Sequence, residues 1–134
     1  MTLKEYFDGD AYARMAGIEL LEIKPGYSRA CMEVQDKHLN GAGFCQGGAI
    51  FTLADLAFAA CVISHLQVTV STNSNIVFVK SARKGMLYAE AHELVNHQRM
   101  PFAEVRITDE AGDLVAVFTS SGYRKKDFLT DCEL

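Results

Sequence analysis

The sequence predicts a single α+β domain, a five- or six-stranded antiparallel sheet layered on one long helix. Two observations predict it. From Ala49 to Ser64 the chain is apolar on nearly every side, rich in Ala and Leu, and free of Pro and Gly. A helix that is apolar all round is a buried one. Five or six β-type segments lie around it, each bounded by turn residues, and one amphipathic sheet is what such a helix needs as cover. A length of 134 residues suits one domain, and 49% apolar content supplies a core without disulfides or metal.

The elements follow in order. Residues 2–16 read as helical, with Thr2 and Glu5 as a capping box, Asp10 as a cap for a second turn, and Gly17 as the stop. Phe7, Tyr12 and Met15 are expected to form its apolar side, packed on an edge of the fold or over the mouth of a site. Ile18 to Ile23 reads as a strand closed by Lys24-Pro25-Gly26, with Tyr27 to Val34 as its hairpin partner and Ser28, Ala30, Met32 and Val34 on one face. After the helix, Val68 to Val79 is a long β region. Gly85 to Val95, Phe102 to Thr108 and Leu114 to Tyr123 add three strands, the last two joined through Asp109 to Asp113. The polar residues 125–134 are expected to form a loose tail.

Composition narrows the partners. The net charge is −4 and no basic stretch interleaves with aromatics, which argues against nucleic acid. The central helix is short for a membrane span and carries Asp55 in its middle. The first ten residues are acidic rather than basic-then-apolar, so no signal peptide is expected. The four cysteines, Cys31, Cys45, Cys61 and Cys132, form no C-x-x-C pair and read as reduced thiols of a cytoplasmic protein. His38, His65, His92 and His97 show no metal-ligand spacing, so neither metal nor cofactor is expected.

The chemistry concentrates between His38 and Asp55. Gly41, Gly43, Gly47 and Gly48 punctuate a loop that ends where the helix begins. Gly47 and Gly48 therefore offer unpaired N–H groups at a helix start, where a developing oxyanion is stabilised. Asp55 is a carboxylate in apolar surroundings, a costly placement unless the group is paired or used.

Asn40-Gly41, Gly47-Gly48 and Leu53-Ala54-Asp55 together resemble the hotdog-fold acyl-CoA thioesterases of the PaaI type. In that family the loop reads Asn-Gly, four residues, His-Gly-Gly, and then a helix with Leu-Ala-Asp. The spacings match, and one position departs, since Gln46 stands where the family has His. The likeness runs from about Phe7 to Tyr123, specific in the loop and helix and a matter of pattern elsewhere. It implies a curved sheet wrapped around the helix, and hydrolysis of an acyl-CoA to free acid and coenzyme A. It further implies Asp55 as base or nucleophile, the Gly47 amide as oxyanion donor with Gly48 beside it, and Asn40 at the thioester. Ser71 and Thr72 fall where the family has a water-positioning hydroxyl.

Lys80, Arg83 and Lys84, with Arg99, Arg124, Lys125 and Lys126, are candidates for the coenzyme A phosphates. Gln46 can donate and accept hydrogen bonds but cannot titrate. That departure keeps open a protein that binds acyl-CoA without turnover. A hotdog dehydratase or hydratase is the other alternative, though its chemistry usually pairs a His with the carboxylate. Cys45 as a thiol nucleophile lacks an accompanying base. Length adds one expectation. Gly47 and Asp55 stand about 12 Å apart along a helix rising about 1.5 Å per residue, too far to serve one carbonyl. A second copy, as a homodimer or dimer of dimers, is expected to complete each site.

Overall fold

In a computed structural model that describes all 134 residues, six strands form one sheet in the order β1-β2-β4-β5-β6-β3, each pair antiparallel. The strands are β1 (Ile18–Lys24), β2 (Tyr27–Val34), β3 (Gln67–Phe78), β4 (Gly85–Val95), β5 (Phe102–Asp109) and β6 (Leu114–Phe128). The long helix α3 (Gly47–Ile63) lies across the sheet and touches all six strands. This is the hotdog arrangement, with the chain leaving α3 to place β3 at the far edge.

The sheet curls around α3 because alternate residues of β2, β4, β5 and β6 are apolar and turn inward. Ala30, Met32 and Val34 of β2, Leu87 and Ala89 of β4, Val105 and Ile107 of β5 and Phe118 of β6 are all buried. From the helix, Leu53, Ala54, Ala57, Phe58 and Cys61 meet them. Phe51 and Phe118 meet edge to face at 5.2 Å. Fully burying a side chain such as Phe58 contributes about 1.5–3 kcal/mol. The helix is not covered all round, however. Gly48, Thr52, Asp55 and Ala59 form a stripe at helical spacing that is half-buried or exposed and faces away from the sheet.

Three expectations change. Residues 2–16 form two short helices, α1 (Leu3–Asp8) and α2 (Ala11–Ala16), because Asp10 starts a new helix by accepting from the Ala13 N–H at 3.0 Å. The expected apolar side is split as well. Phe7 is buried, whereas Tyr12 is 64% and Met15 67% exposed. Residues 125–134 are not loose. β6 continues to Phe128, the Leu129 N–H donates to Leu66 O, and Glu133 bridges to Thr2.

Candidate active site

The loop before α3 is held by Asn40. Its Oδ1 accepts from the Ala42 N–H at 2.9 Å and the Phe44 N–H at 3.1 Å, so only its amide NH2 is left to face outward as a donor. Behind the loop, the buried His38 accepts from the Gln35 N–H at Nδ1 (2.9 Å) and meets Ala16 O at Nε2 (2.6 Å). That pairing fixes the proton on Nε2 and ties α2 to the loop.

The first turn of α3 is open. Ala49 and Ile50 donate back to Gln46 O, but the Gly47 and Gly48 N–H groups have no acceptor in the chain. Gln46, the N-cap, makes no side-chain bond to the turn. Its carboxamide folds over Gly48 instead, so that a Cβ on Gly48 would lie 2.6 Å from Gln46 Oε1. A Cβ on Gly47 would lie 2.9 Å from the Phe78 ring. A Cβ at either position would push aside the far end of an exposed side chain, Phe78 or Gln46, rather than backbone.

Asp55 lies two turns further along, on the uncovered stripe. Burial pushes its carboxyl above the usual carboxylate range and the Asp10 charge adds to this, while the Ser71 hydroxyl on β3 pulls the other way. Ser71 therefore adjoins Asp55. Thr72 does not share that role, since it sits at a bulge and donates to Ser121 O at 3.1 Å.

Within one chain the expected residues fall into three groups. Asn40, Gln46 and Gly48 line a cleft of about 680 Å³ between α2 and α3. Asn40 and Gly47 line a second of about 340 Å³, reaching Phe78 and Lys80. Asp55 and Ser71 line neither. The basic candidates differ in availability. Lys80 Nζ stands 2.8 Å from both Asp109 and Asp113, and Lys84 pairs with Asp36. Arg83 lies 5.0 Å over the Phe44 ring with no carboxylate partner. Arg124 is withdrawn from any ligand, because it is buried and bound to Glu93 at 2.7 Å. Burial holds the Cys45 thiol at about 11, which does not suit a nucleophile. Tyr12 and Met15, expected on an edge of the fold or over the mouth of a site, line the first cleft. Sequence reasoning offered Arg124 to a phosphate, although its place on the inward parity of β6, in step with Phe118 and Ser120, signalled a buried side chain.

Comparison with known proteins bears on the family and the fold. The profile of the Thioesterase superfamily matches residues 42–116, more than half of the chain. An esterase-named protein of Archaeoglobus fulgidus is 34% identical over 129 residues, covering 94% of this chain and 84% of its own. The acyl-coenzyme A thioesterase PaaI of Escherichia coli is 29% identical over 119 residues, covering 88% of this chain and 85% of its own. The solved E. coli PaaI structure superposes with a TM-score of 0.91 at 26% identity, covering 95% of this chain and 93% of that one. A Streptococcus mutans protein bound to acetyl CoA gives 0.78 at 27%, covering 81% and 88%. The chain belongs to the thioesterase superfamily, with the hotdog fold of its PaaI-like members.

Proposed function

We propose that the protein hydrolyses an acyl-CoA thioester at a site shared by two copies of the chain. One observation carries this reading. Two free amides open the first turn of one helix and a carboxylate of raised pKa lies two turns along it, too far away to meet them at one carbonyl. The edge strand supports the pairing. β3 is the outermost strand beside the uncovered stripe of that helix, one of its edges has no partner, and Val77 and Phe78 are exposed on it. A long exposed edge is a template for pairing with another strand. An isologous contact there sets two α3 helices antiparallel, with Asp55 of each copy opposite Gly47 of the other.

The chemistry follows. The thioester oxygen sits on the Gly47 N–H with the Gly48 N–H beside it, and the Asn40 amide donates to the thioester region. The partner's Asp55 takes a proton from a water held with Ser71, and that water attacks the carbonyl carbon. The C–S bond breaks as the tetrahedral intermediate collapses. The coenzyme A sulfur leaves with the pair and takes up a proton.

Complementation tests the shared site. Asp55→Asn and Gly47→Pro are each made alone. Proline is tolerated at the first helical position and removes the donor. Each variant alone is expected to be inactive towards an acyl-CoA panel read by free-thiol release. Refolded together in equal amounts, half of the dimers are mixed and each mixed dimer holds one intact site. About a quarter of wild-type activity then returns. Mixed dimers with no activity would overturn the shared site. Tight acyl-CoA binding by the wild type, with no thiol released from any substrate, would make the protein a binder instead.

A further inference from the structure

We propose that the cleft between α2 and α3 receives the acyl group, and that Tyr12 and Met15 make the enzyme prefer long apolar acyl chains over acetyl. This rests on the thioesterase reading and names its substrate class.

The placement of α2 is the first reason. Of its six residues only Ala13 is buried, while its two large apolar side chains are 64% and 67% exposed and line the cleft. An apolar helix face normally turns to the core. Here the helix is anchored by polar contacts, leaving its large apolar groups free. His38 Nε2 meets Ala16 O at 2.6 Å, and Lys37 Nζ donates to Met15 O at 3.0 Å. Asp10 caps the other end.

Continuity with the candidate site is the second reason. Gln46, Gly48 and Asn40 stand at the opposite wall of the same cleft, and Ala49 and Thr52 form its floor. Gly48 lines this cleft and Gly47 the second one, so a carbonyl seated across both amides has this cleft on one side to receive its acyl substituent. The volume of about 680 Å³ lies within the range of pockets for drug-sized ligands and far exceeds what an acetyl group fills. The wall is chemically suited to an alkyl or aryl group. A thioether adapts its shape to either, and the Tyr12 hydroxyl has no hydrogen-bond partner in the chain, so its ring serves as apolar surface. α2 also lies outside residues 42–116, so the preference is set by a segment beyond the superfamily profile.

The test compares wild type with Tyr12→Ala/Met15→Ala. Both residues are exposed, so the double variant folds, and circular dichroism checks this. The ratio of kcat/KM for octanoyl-CoA over acetyl-CoA is expected to fall about tenfold or more, the scale of lost apolar contact in a specificity pocket. Tyr12→Phe is expected to retain the ratio. The Kd of S-octyl-CoA, a thioether that cannot be hydrolysed, is measured beside that of coenzyme A, and its advantage should shrink to the same degree. Turnover with an unchanged ratio in the double variant overturns the acyl wall and leaves the thioesterase reading intact. If no substrate turns over while the S-octyl-CoA advantage is lost with the two side chains, the thioesterase reading falls and the acyl cleft stands. A wild type that binds S-octyl-CoA no better than coenzyme A overturns the cleft outright.

Discussion

The two ends of α3 carry polar groups of opposite kinds. At its C-terminal end the buried polar groups are paired, with Arg124 Nε the one exception. Ser64 donates to Cys61 O at 2.6 Å and accepts from the Gly26 N–H at 2.8 Å. Glu93 takes His65 Nε2 at 2.8 Å and Arg124 Nη2 at 2.7 Å, while Arg124 Nη1 reaches Asn96 Oδ1 at 2.6 Å and His97 O at 2.8 Å. At the N-terminal end two amides are open, and the carboxylate two turns on has only a serine hydroxyl in its favour. Buried polar groups that are satisfied hold a fold together, and those left open are available to a ligand. The closed cluster therefore reads as structure and the open one as chemistry, and substitutions at the two ends should fail in different ways.

The largest effect is expected at the closed end. Arg124→Met leaves Glu93 buried with His65 alone, and breaking a buried pair by removing one partner costs about 3–5 kcal/mol. Denaturant titration should show that loss, with kcat per folded molecule little changed. A stable Arg124→Met protein would remove the contrast.

At the open end, Asp55→Asn should lower kcat by about a hundredfold or more, the scale for a general base. Its stability should move the other way. The folded state raises the Asp55 carboxyl above its ordinary 3.8, so folding favours the neutral form. Below the ordinary value both folded and unfolded chains are protonated and nothing is gained. As pH rises through the folded value, the ionised group costs stability. Asp55→Asn should therefore raise Tm at neutral pH and leave it unchanged near pH 3, if the fold survives there. The wild-type kcat should fall on the acid side at a pH above that of an ordinary carboxylate. A Tm that drops at neutral pH would assign Asp55 to the fold.

The same contrast explains what was legible in the sequence. The open end was legible because its features are local, a glycine pair followed two turns later by a carboxylate in an apolar run. Strand β2 was legible by alternation, and all four residues assigned to its inner face are buried. The closed end joins Gly26, Ser64, Glu93 and Arg124, which are far apart in sequence and look like ordinary turn and strand residues. The tail was misread for the same reason. Its polar composition says nothing of the long-range bonds to Leu66 and Thr2. Residues 2–16 carried correct caps, but one helix was expected where Asp10 starts a second. Tyr12 and Met15 were read as apolar cover for an edge or for the mouth of a site, and apolarity alone does not choose between the two.

A smaller effect is expected at Gln46, where the chain departs from the PaaI-type loop. The side chain is exposed and bonds to nothing in the turn it caps. Gln46→His should then keep or raise turnover, to within about threefold. An imidazole titrates near 6.5, so the pH–rate profile should gain an inflection in that region. A loss beyond about tenfold with intact folding would mean that the open end depends on this glutamine.

The smallest effect concerns the basic turn beyond the second cleft, and here pairing again decides. Lys80 is shared by two carboxylates and Lys84 is paired with Asp36, so a phosphate must compete with a partner already in place. Arg83 has no such competitor, and its guanidinium rests on the Phe44 ring beside the loop. Of these three, Arg83 is the one we propose to meet a coenzyme A phosphate. The gain from one exposed charge pair is about 0.2–1 kcal/mol, so Arg83→Ala should raise KM for an acyl-CoA by no more than about fivefold at low salt. Screening acts over about 10 Å at 0.1 M, so wild-type KM should rise with salt and the variant's should stay flatter. An acyl-pantetheine, which lacks the nucleotide and its phosphates, should respond to neither salt nor substitution. If Lys80→Ala raises KM more than Arg83→Ala does, pairing with carboxylates does not decide which cations meet the substrate, and the rule drawn from the two ends of α3 fails at the surface.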